Sequence, residues 1–200
     1  MIEVSAILLA GGKSRRMGLD KCLLPFKGQS MLAHQVEKLQ RLGISDIMIS
    51  GRETAVAGTR CVMDLFPDRG PLGGLHACLS AALFPDCLVL GVDTPLVPED
   101  TLRTLIETHL SGDQSITLLT HGDRWEPLLA VYRASLAPVA LRILEAGDGS
   151  LRRFIRENAY RLLPYRGPEE LITNCNTPEE YNQALAIAGE MEDAEGGRPV

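Results

Sequence analysis

Apolar runs of strand length alternate with amphipathic stretches almost from one end of the chain to the other. Residues 4–9 form an apolar run that predicts a first strand, and residues 31–42 predict a helix with Leu32, Val36 and Leu39 on one face and Gly43 as its stop. Strands are expected over 46–50 and 60–63. A helix over 75–83 is expected to follow the turn Gly70-Pro71-Leu72-Gly73-Gly74. A fourth strand is expected over 87–92, and Pro98-Glu99-Asp100 then opens a helix, with proline and acids in the first turn as the helix dipole favours. Further strands are expected over 115–119 and 128–132, joined by a hairpin-like excursion through 121–125. Helices over 134–145 and 150–157 precede a strand near 161–163. The last helix is marked by Thr177-Pro178-Glu179-Glu180: a capping residue, proline at the first helical position, and glutamate three residues after the cap.

Strands alternating with helices predict an α/β fold, a mainly parallel sheet covered on both faces in three layers. In such sheets ligands bind beyond the carboxyl ends of the strands, where the topology reverses. Loops that follow strands are therefore where chemistry is expected.

Composition narrows the class. At 200 residues the chain is of single-domain size, and 45% apolar with 23% charged residues is a globular balance, which excludes a disordered chain. Residues 1–188 are expected to form the domain, and 189–200 an acidic, disordered tail carrying Glu190, Glu192, Asp193 and Glu195. No apolar stretch reaches 18 residues, and the amino terminus has no basic region or small-residue cleavage site, so a cytoplasmic protein is expected. The five cysteines are odd in number and form no CxxC, which predicts free thiols, and neither they nor the four histidines have zinc-ligand spacing. No apolar seam beyond ordinary amphipathic helices is present, so a monomer is expected.

Net charge is −6, which disfavours non-specific nucleic-acid binding. Charge is uneven, however: Lys13, Arg15, Arg16, Lys21 and Lys27 lie within one short segment against Asp20 alone. That segment begins as the first strand ends, in Leu9-Ala10-Gly11-Gly12-Lys13-Ser14-Arg15-Arg16-Met17-Gly18-Leu19-Asp20-Lys21. Glycines let backbone N–H groups approach phosphate oxygens, and Arg and Lys supply charge. The segment is not a Walker A loop, because the leading glycine would fall on Ile7, nor a G-x-G-x-x-G loop. A glycine-rich surface turn with solvated charges has the same composition.

Leu9-Ala10-Gly11-Gly12, Arg16-Met17-Gly18 and Asp20-Lys21 together resemble the signature of nucleotidyltransferases, and more narrowly that of the molybdenum cofactor guanylyltransferases. Asp64 with Gly70-Pro71-Leu72-Gly73-Gly74 resembles the family's second block, and Gly91-Val92-Asp93-Thr94-Pro95-Leu96 its third. Arg124, Glu126-Pro127-Leu128 and Tyr132 resemble the fourth, and Asn174-Cys175-Asn176-Thr177-Pro178 the fifth. These blocks run in family order over 4–187. The resemblance implies a Rossmann-like nucleotidyltransferase fold.

It also implies roles. Leu9, Ala10 and Gly11 would lie against base and ribose, while Gly12 and Arg16 would approach the triphosphate. Lys21 would contact the phosphates and stabilise negative charge as pyrophosphate leaves. Asp93 would hold Mg²⁺ against the α-phosphate, since magnesium takes one or two carboxylates together with substrate oxygens. A turn cap ahead of Pro95 is the alternative for Asp93. Asp64 would lie near the base, as would Ser50, which stands where relatives often carry asparagine. Gly70 and Gly73 would let the backbone approach the guanine and then start a helix. Asn174 and Asn176 would face the acceptor and the metal, with Thr177 left to cap the helix.

The reaction implied is attack by the terminal phosphate of molybdopterin on the α-phosphorus of GTP, with release of pyrophosphate. Catalysis of this kind is mainly positioning and charge stabilisation. Partners implied are GTP, molybdopterin or its molybdenum-loaded form, and more remotely molybdenum-insertion proteins and apo-molybdoenzymes. Leu-Ala-Gly-Gly and Asp20-Lys21 favour guanine over cytidine transfer to the same pterin. A nucleotide-binding module without catalysis is the reading from another class, and retention of both Lys21 and Asp93 argues against it.

Overall fold

The computed structural model describes residues 2–10 and 20–196, with side chains through 193. Among these residues seven strands form one sheet: β1 (Ile2–Leu9), β4 (Ile44–Ser50), β5 (Arg60–Val62), β6 (Asp86–Gly91), β7 (Ile116–His121), β8 (Arg124–Arg133) and β9 (Tyr160–Pro164). Their order is β5-β4-β1-β6-β8-β7-β9. β8 alone runs antiparallel to its neighbours β6 and β7, and every other pairing is parallel. A two-residue-per-strand hairpin, β2 (Pro25–Phe26) and β3 (Gln29–Ser30), stands apart from this sheet. Its turn places Lys27 and Gly28 at φ 48° and 75°, conformations that suit a tight hairpin turn.

Among the described residues six α-helices cover the sheet: α1 (Met31–Arg41), α2 (Pro71–Ala81), α3 (Glu99–Leu110), α4 (Ala137–Glu145), α5 (Leu151–Arg156) and α6 (Pro178–Gly196). The strand period of two sorts β1 onto two cores. Val4, Ala6 and Leu8 pack with Leu32, Val36 and Leu39 of α1, Leu102 and Leu105 of α3, and Ala184 and Ala188 of α6. Ile7 and Leu9 pack on the other face with Leu72, Leu75 and Leu79 of α2, Ile143 of α4 and Phe154 of α5. The result is the expected α/β/α sandwich with a mainly parallel sheet. Each Val, Leu, Ile or Phe side chain among these, fully buried, contributes on the order of 1.5–3 kcal/mol.

Several local signals behave as their chemistry dictates. Ser30 caps α1 by accepting from Ala33 N at 3.2 Å. Thr177 and Glu180 form a reciprocal capping box, with Thr177 N donating to Glu180 Oε2 at 2.9 Å and Glu180 N to Thr177 Oγ1 at 3.2 Å. Cys22, Cys78, Cys87 and Cys175 are buried free thiols, while Cys61 is exposed. No helix of the described residues is long and apolar enough to cross a membrane.

Three boundaries differ most from expectation. α2 begins at Pro71, so Gly73 and Gly74 lie inside its first turn. β8 runs unbroken from Arg124, with its register shifting opposite Leu118 and Leu119, so the excursion after His121 is only the Gly122-Asp123 turn. α6 continues past Gly189 to Gly196, where a disordered tail was expected. Ala186, Ala188, Glu190 and Met191 around that glycine are strong helix formers and absorb its cost of about 1 kcal/mol. Glu192 also pairs with Lys27 at 3.3 Å.

Candidate active site

From β1 the chain passes to β4 on one side and, after β5 and α2, returns to β6 on the other. The crevice of this sheet therefore opens between the carboxyl ends of β1 and β6. Leu9 pairs with Gly91 across it, and Val92 N donates to Leu9 O at 3.4 Å. Of the polar residues singled out in the sequence, Lys21, Asp93 and Asn176 converge here.

Lys21 opens a 3-10 turn, Lys21–Leu23, which Asp20 caps by accepting from Cys22 N at 3.0 Å. Arg52, just past the end of β4, donates from Nη1 to both oxygens of Asp20 at 2.8 Å. Burial by itself would raise the Asp20 pKa, but the hydrogen bonds and charge of Arg52 and the Cys22 amide hold it below the ordinary carboxylate value. Thus anchored, the turn aims Lys21 Nζ at Asp93 Oδ2, 2.9 Å away, and at Asn176 Oδ1, 2.8 Å away.

Asp93 lies two residues beyond β6, in the turn before Pro95. Its carboxylate folds back over Gly91, where a Cβ would stand 2.5 Å from Oδ1. Its own carbonyl accepts from Cys175 N at 2.7 Å, a bond that ties the segment before α6 to the β6 loop and so sets Asn176 beside Lys21. Three residues far apart in sequence thus meet around one ammonium. The charges remain accessible: the side chains of Lys21 and Asp93 are 18% and 22% exposed.

On the α2 side, glycines decide the geometry. A Cβ on Gly73 would stand 2.7 Å from both carboxylate oxygens of Asp64, and one on Gly74 would stand 2.2 Å from Ser50 Oγ. Real Cβ contacts are never that short, so glycine is what lets the first turn of α2 close over the ends of β4 and β5. Asp64 is half-buried and accepts from Phe66 N at 2.7 Å. Gly70 precedes the helix at φ 65°, a conformation that favours glycine.

The expected residues therefore fall into four groups. Lys21, Asp93 and Asn176 come together; Leu9 and Ala10 stand at the carboxyl end of β1, with Leu9 packed beneath α2, and Asp64, Gly70 and Gly73 meet at the start of that helix. Ser50 departs from expectation. It is only 2% exposed, because Gly74 brings the α2 backbone down onto it, so it supports the wall from beneath. Asn174 also departs: it lines a small separate cavity with Leu96, Glu170, Gln183 and Ile187. The tie between Cys175 N and Asp93 O leaves Asn176, its neighbour on the other side, to reach Lys21. Gly11, Gly12 and Arg16 lie outside the described residues. Sequence reasoning missed Arg52, whose only signal is a basic residue directly after a strand and a glycine.

Residues 6–183 match the family described as the MobA-like NTP transferase domain. The chain belongs to that family. It is a nucleotidyltransferase. Among curated relatives, the molybdenum cofactor guanylyltransferase of Syntrophotalea carbinolica is 33% identical over 187 residues, covering 90% of this chain and 89% of its own. The protein of the same name from Xanthomonas euvesicatoria pv. vesicatoria is 31% identical, covering 90% and 94%. Among solved structures, molybdopterin-guanine dinucleotide biosynthesis protein A from Archaeoglobus fulgidus superposes with a TM-score of 0.79 at 25% identity, over 94% of this chain and all of that one. A nucleotidyl transferase from Methanothermobacter thermautotrophicus, at 20% identity and TM-score 0.75, shares the fold. The resemblance drawn from the sequence blocks is thereby borne out, as is the Rossmann-like nucleotidyltransferase fold.

Proposed function

We propose that this nucleotidyltransferase moves GMP from GTP to the terminal phosphate of molybdopterin and releases pyrophosphate. The observation that carries the reading is the meeting of Lys21, Asp93 and Asn176 at the crevice where β1 and β6 part. The names of the relatives support guanine as the base and the molybdenum cofactor as the pathway. Leu9-Ala10-Gly11-Gly12 and Asp20-Lys21 in this chain support it too.

Asp93 Oδ2 and Asn176 Oδ1 are hard oxygen donors already converging on one cation, the Lys21 ammonium, and such donors fit Mg²⁺. Asp93 would hold the ion, with Asn176 as a further oxygen within reach. Bound there, Mg²⁺ neutralises charge on the phosphates. The protein's own part is positional. Leu9 and the α2 wall shape one side of the crevice, and Asp64 supplies an acceptor for a base. Lys21, released from Asp93 by an incoming phosphate, brings its ammonium to the developing charge.

The experiment is pyrophosphate release in the presence of Mg²⁺ and molybdenum-loaded molybdopterin, with GTP and CTP in separate reactions. Release with GTP alone is expected. Release with CTP alone overturns the base assignment, and release with neither overturns the acceptor assignment.

A further inference from the structure

Behind the Asp93 loop, α1 presents three polar side chains to the core where its amphipathic pattern calls for apolar ones. Gln35 Nε2 donates to Gly91 O at 3.1 Å and to Thr94 O at 3.0 Å. Lys38 Nζ donates to Pro95 O at 2.6 Å, and His34 Nε2 lies 3.3 Å from the same oxygen. Thr94 Oγ1 adds a bond to Gly91 O at 3.1 Å. With Cys175 N on Asp93 O, the carbonyls of Gly91, Asp93, Thr94 and Pro95 are all held from outside the loop's own backbone. Gln35 and Lys38 are 0% and 4% exposed.

A buried ammonium is a costly way to fill space. Methionine has nearly the same stem and carries no desolvation penalty. What lysine adds at this position is a charged donor to one carbonyl, two residues past the carboxylate at the centre of the site. We propose that Lys38 is a positioning residue for nucleotidyl transfer, fixing the Pro95 carbonyl from α1 and through it the place of the Asp93 carboxylate. The inference rests on the functional reading above and extends it to a residue outside the crevice.

The surroundings of Lys38 bear on how it behaves. It borders a cavity of about 400 Å³ that is also lined by His34, Arg41, Lys27, Glu99 and Asp100. Arg41 is paired with Glu37 and Glu99, and Lys27 with Glu192. Burial, aided by the nearby cations Arg41 and Lys27 and opposed by Glu99, lowers Lys38 to about 7. Its grip on Pro95 O therefore weakens as it loses a proton near neutral pH.

The test uses Lys38→Met and Lys38→Arg in the full chain. Mn²⁺ binding is measured by electron paramagnetic resonance with a non-hydrolysable GTP analogue, alongside turnover across pH. Residues that orient metal ligands are typically worth 10–100-fold, so Lys38→Met is expected to weaken Mn²⁺ and lower kcat by about 10-fold, with KM for GTP little changed. Its melting temperature should be at or above that of the wild type, since a buried charge has been removed. Lys38→Arg, which keeps the charge, should restore Mn²⁺ binding and abolish the fall in wild-type rate above neutral pH. Mn²⁺ affinity of Lys38→Met within about twofold of wild type overturns the proposal. A loss that arginine does not restore and that follows a lowered melting temperature also overturns it. Wild-type turnover tests the functional reading separately, and if it is absent the Mn²⁺ ratio still decides the role of Lys38.

Discussion

Two carboxylate–cation pairs stand at opposite ends of the same sheet, and they are built for different ends. At the amino end, Asp46 is buried and accepts from Ser5 Oγ at 2.5 Å, from Arg60 at 2.8 and 3.1 Å, and from Leu83 N at 3.0 Å. Burial would raise its pKa, but these donors together hold it below the ordinary value. At the carboxyl end, Asp93 is met by one side-chain donor among the described residues, Lys21, and both remain partly exposed. A carboxylate saturated with donors has nothing left to offer a ligand, and one left unsaturated beside a movable ammonium does. The difference separates a structural ion pair from a chemical one more surely than the presence of either pair.

Exchanging the two carboxylates for amides sharpens this contrast. Asp93→Asn should lower pyrophosphate release by about 100-fold or more, the scale of losing one charge-stabilising group, while circular dichroism and melting stay near wild type. Asp46→Asn should do the reverse. Leaving a buried partner unpaired costs 3–5 kcal/mol in full burial, but the Arg60 side chain is 37% exposed, so about 2 kcal/mol is expected in urea unfolding. Turnover per folded molecule should hold. If Asp93→Asn unfolds the protein, or Asp46→Asn silences it while folded, the distinction fails.

The α2 wall offers a smaller test. Gly74→Ala would drive a methyl into Ser50 Oγ, an overpacking worth about 1–3 kcal/mol of stability. Adding Ser50→Ala removes the oxygen and should recover most of the loss. No recovery would mean that the helix, not the hydroxyl, resists the change.

A further test is one of pH. Burial lowers His34 from 6.5 to about 4 and Lys38 from 10.5 to about 7. Between each pair of values the unfolded chain holds more protons than the folded one, so stability rises with pH. The increments should fall between about pH 4 and 6.5 for His34 and between about 7 and 10.5 for Lys38. Urea midpoints of Lys38→Met should lack the upper increment, and an unchanged upper increment would place Lys38 outside the core.

What could be read from the chain alone was whatever depends on near neighbours. The Thr177–Glu180 capping box needs only four residues, and the strands of β1 and β6 announce themselves as apolar runs. The hairpin of β2 and β3 was not legible, because two residues per strand are too few to show a period. The start of α2 was misplaced for a subtler reason. Gly73 and Gly74 look like turn residues locally, yet they are glycine because Asp64, in the loop after β5, and Ser50, at the end of β4, press against that helix. Lys38 is similar: nothing near it in sequence announces that it is buried with its ammonium on the Pro95 carbonyl.

The amino-acid order thus carried the layer architecture, the alternation that sorts residues onto two cores, and the identity of the charged groups, since period and composition are local properties. Folding supplied the partnerships. Lys21, Asp93 and Asn176 are separated by 72 and 155 positions as counted from Lys21, and no local pattern pairs them. They meet because parallel strands bring every following loop to one end of the sheet, and because backbone bonds such as Cys175 N to Asp93 O fix those loops against one another.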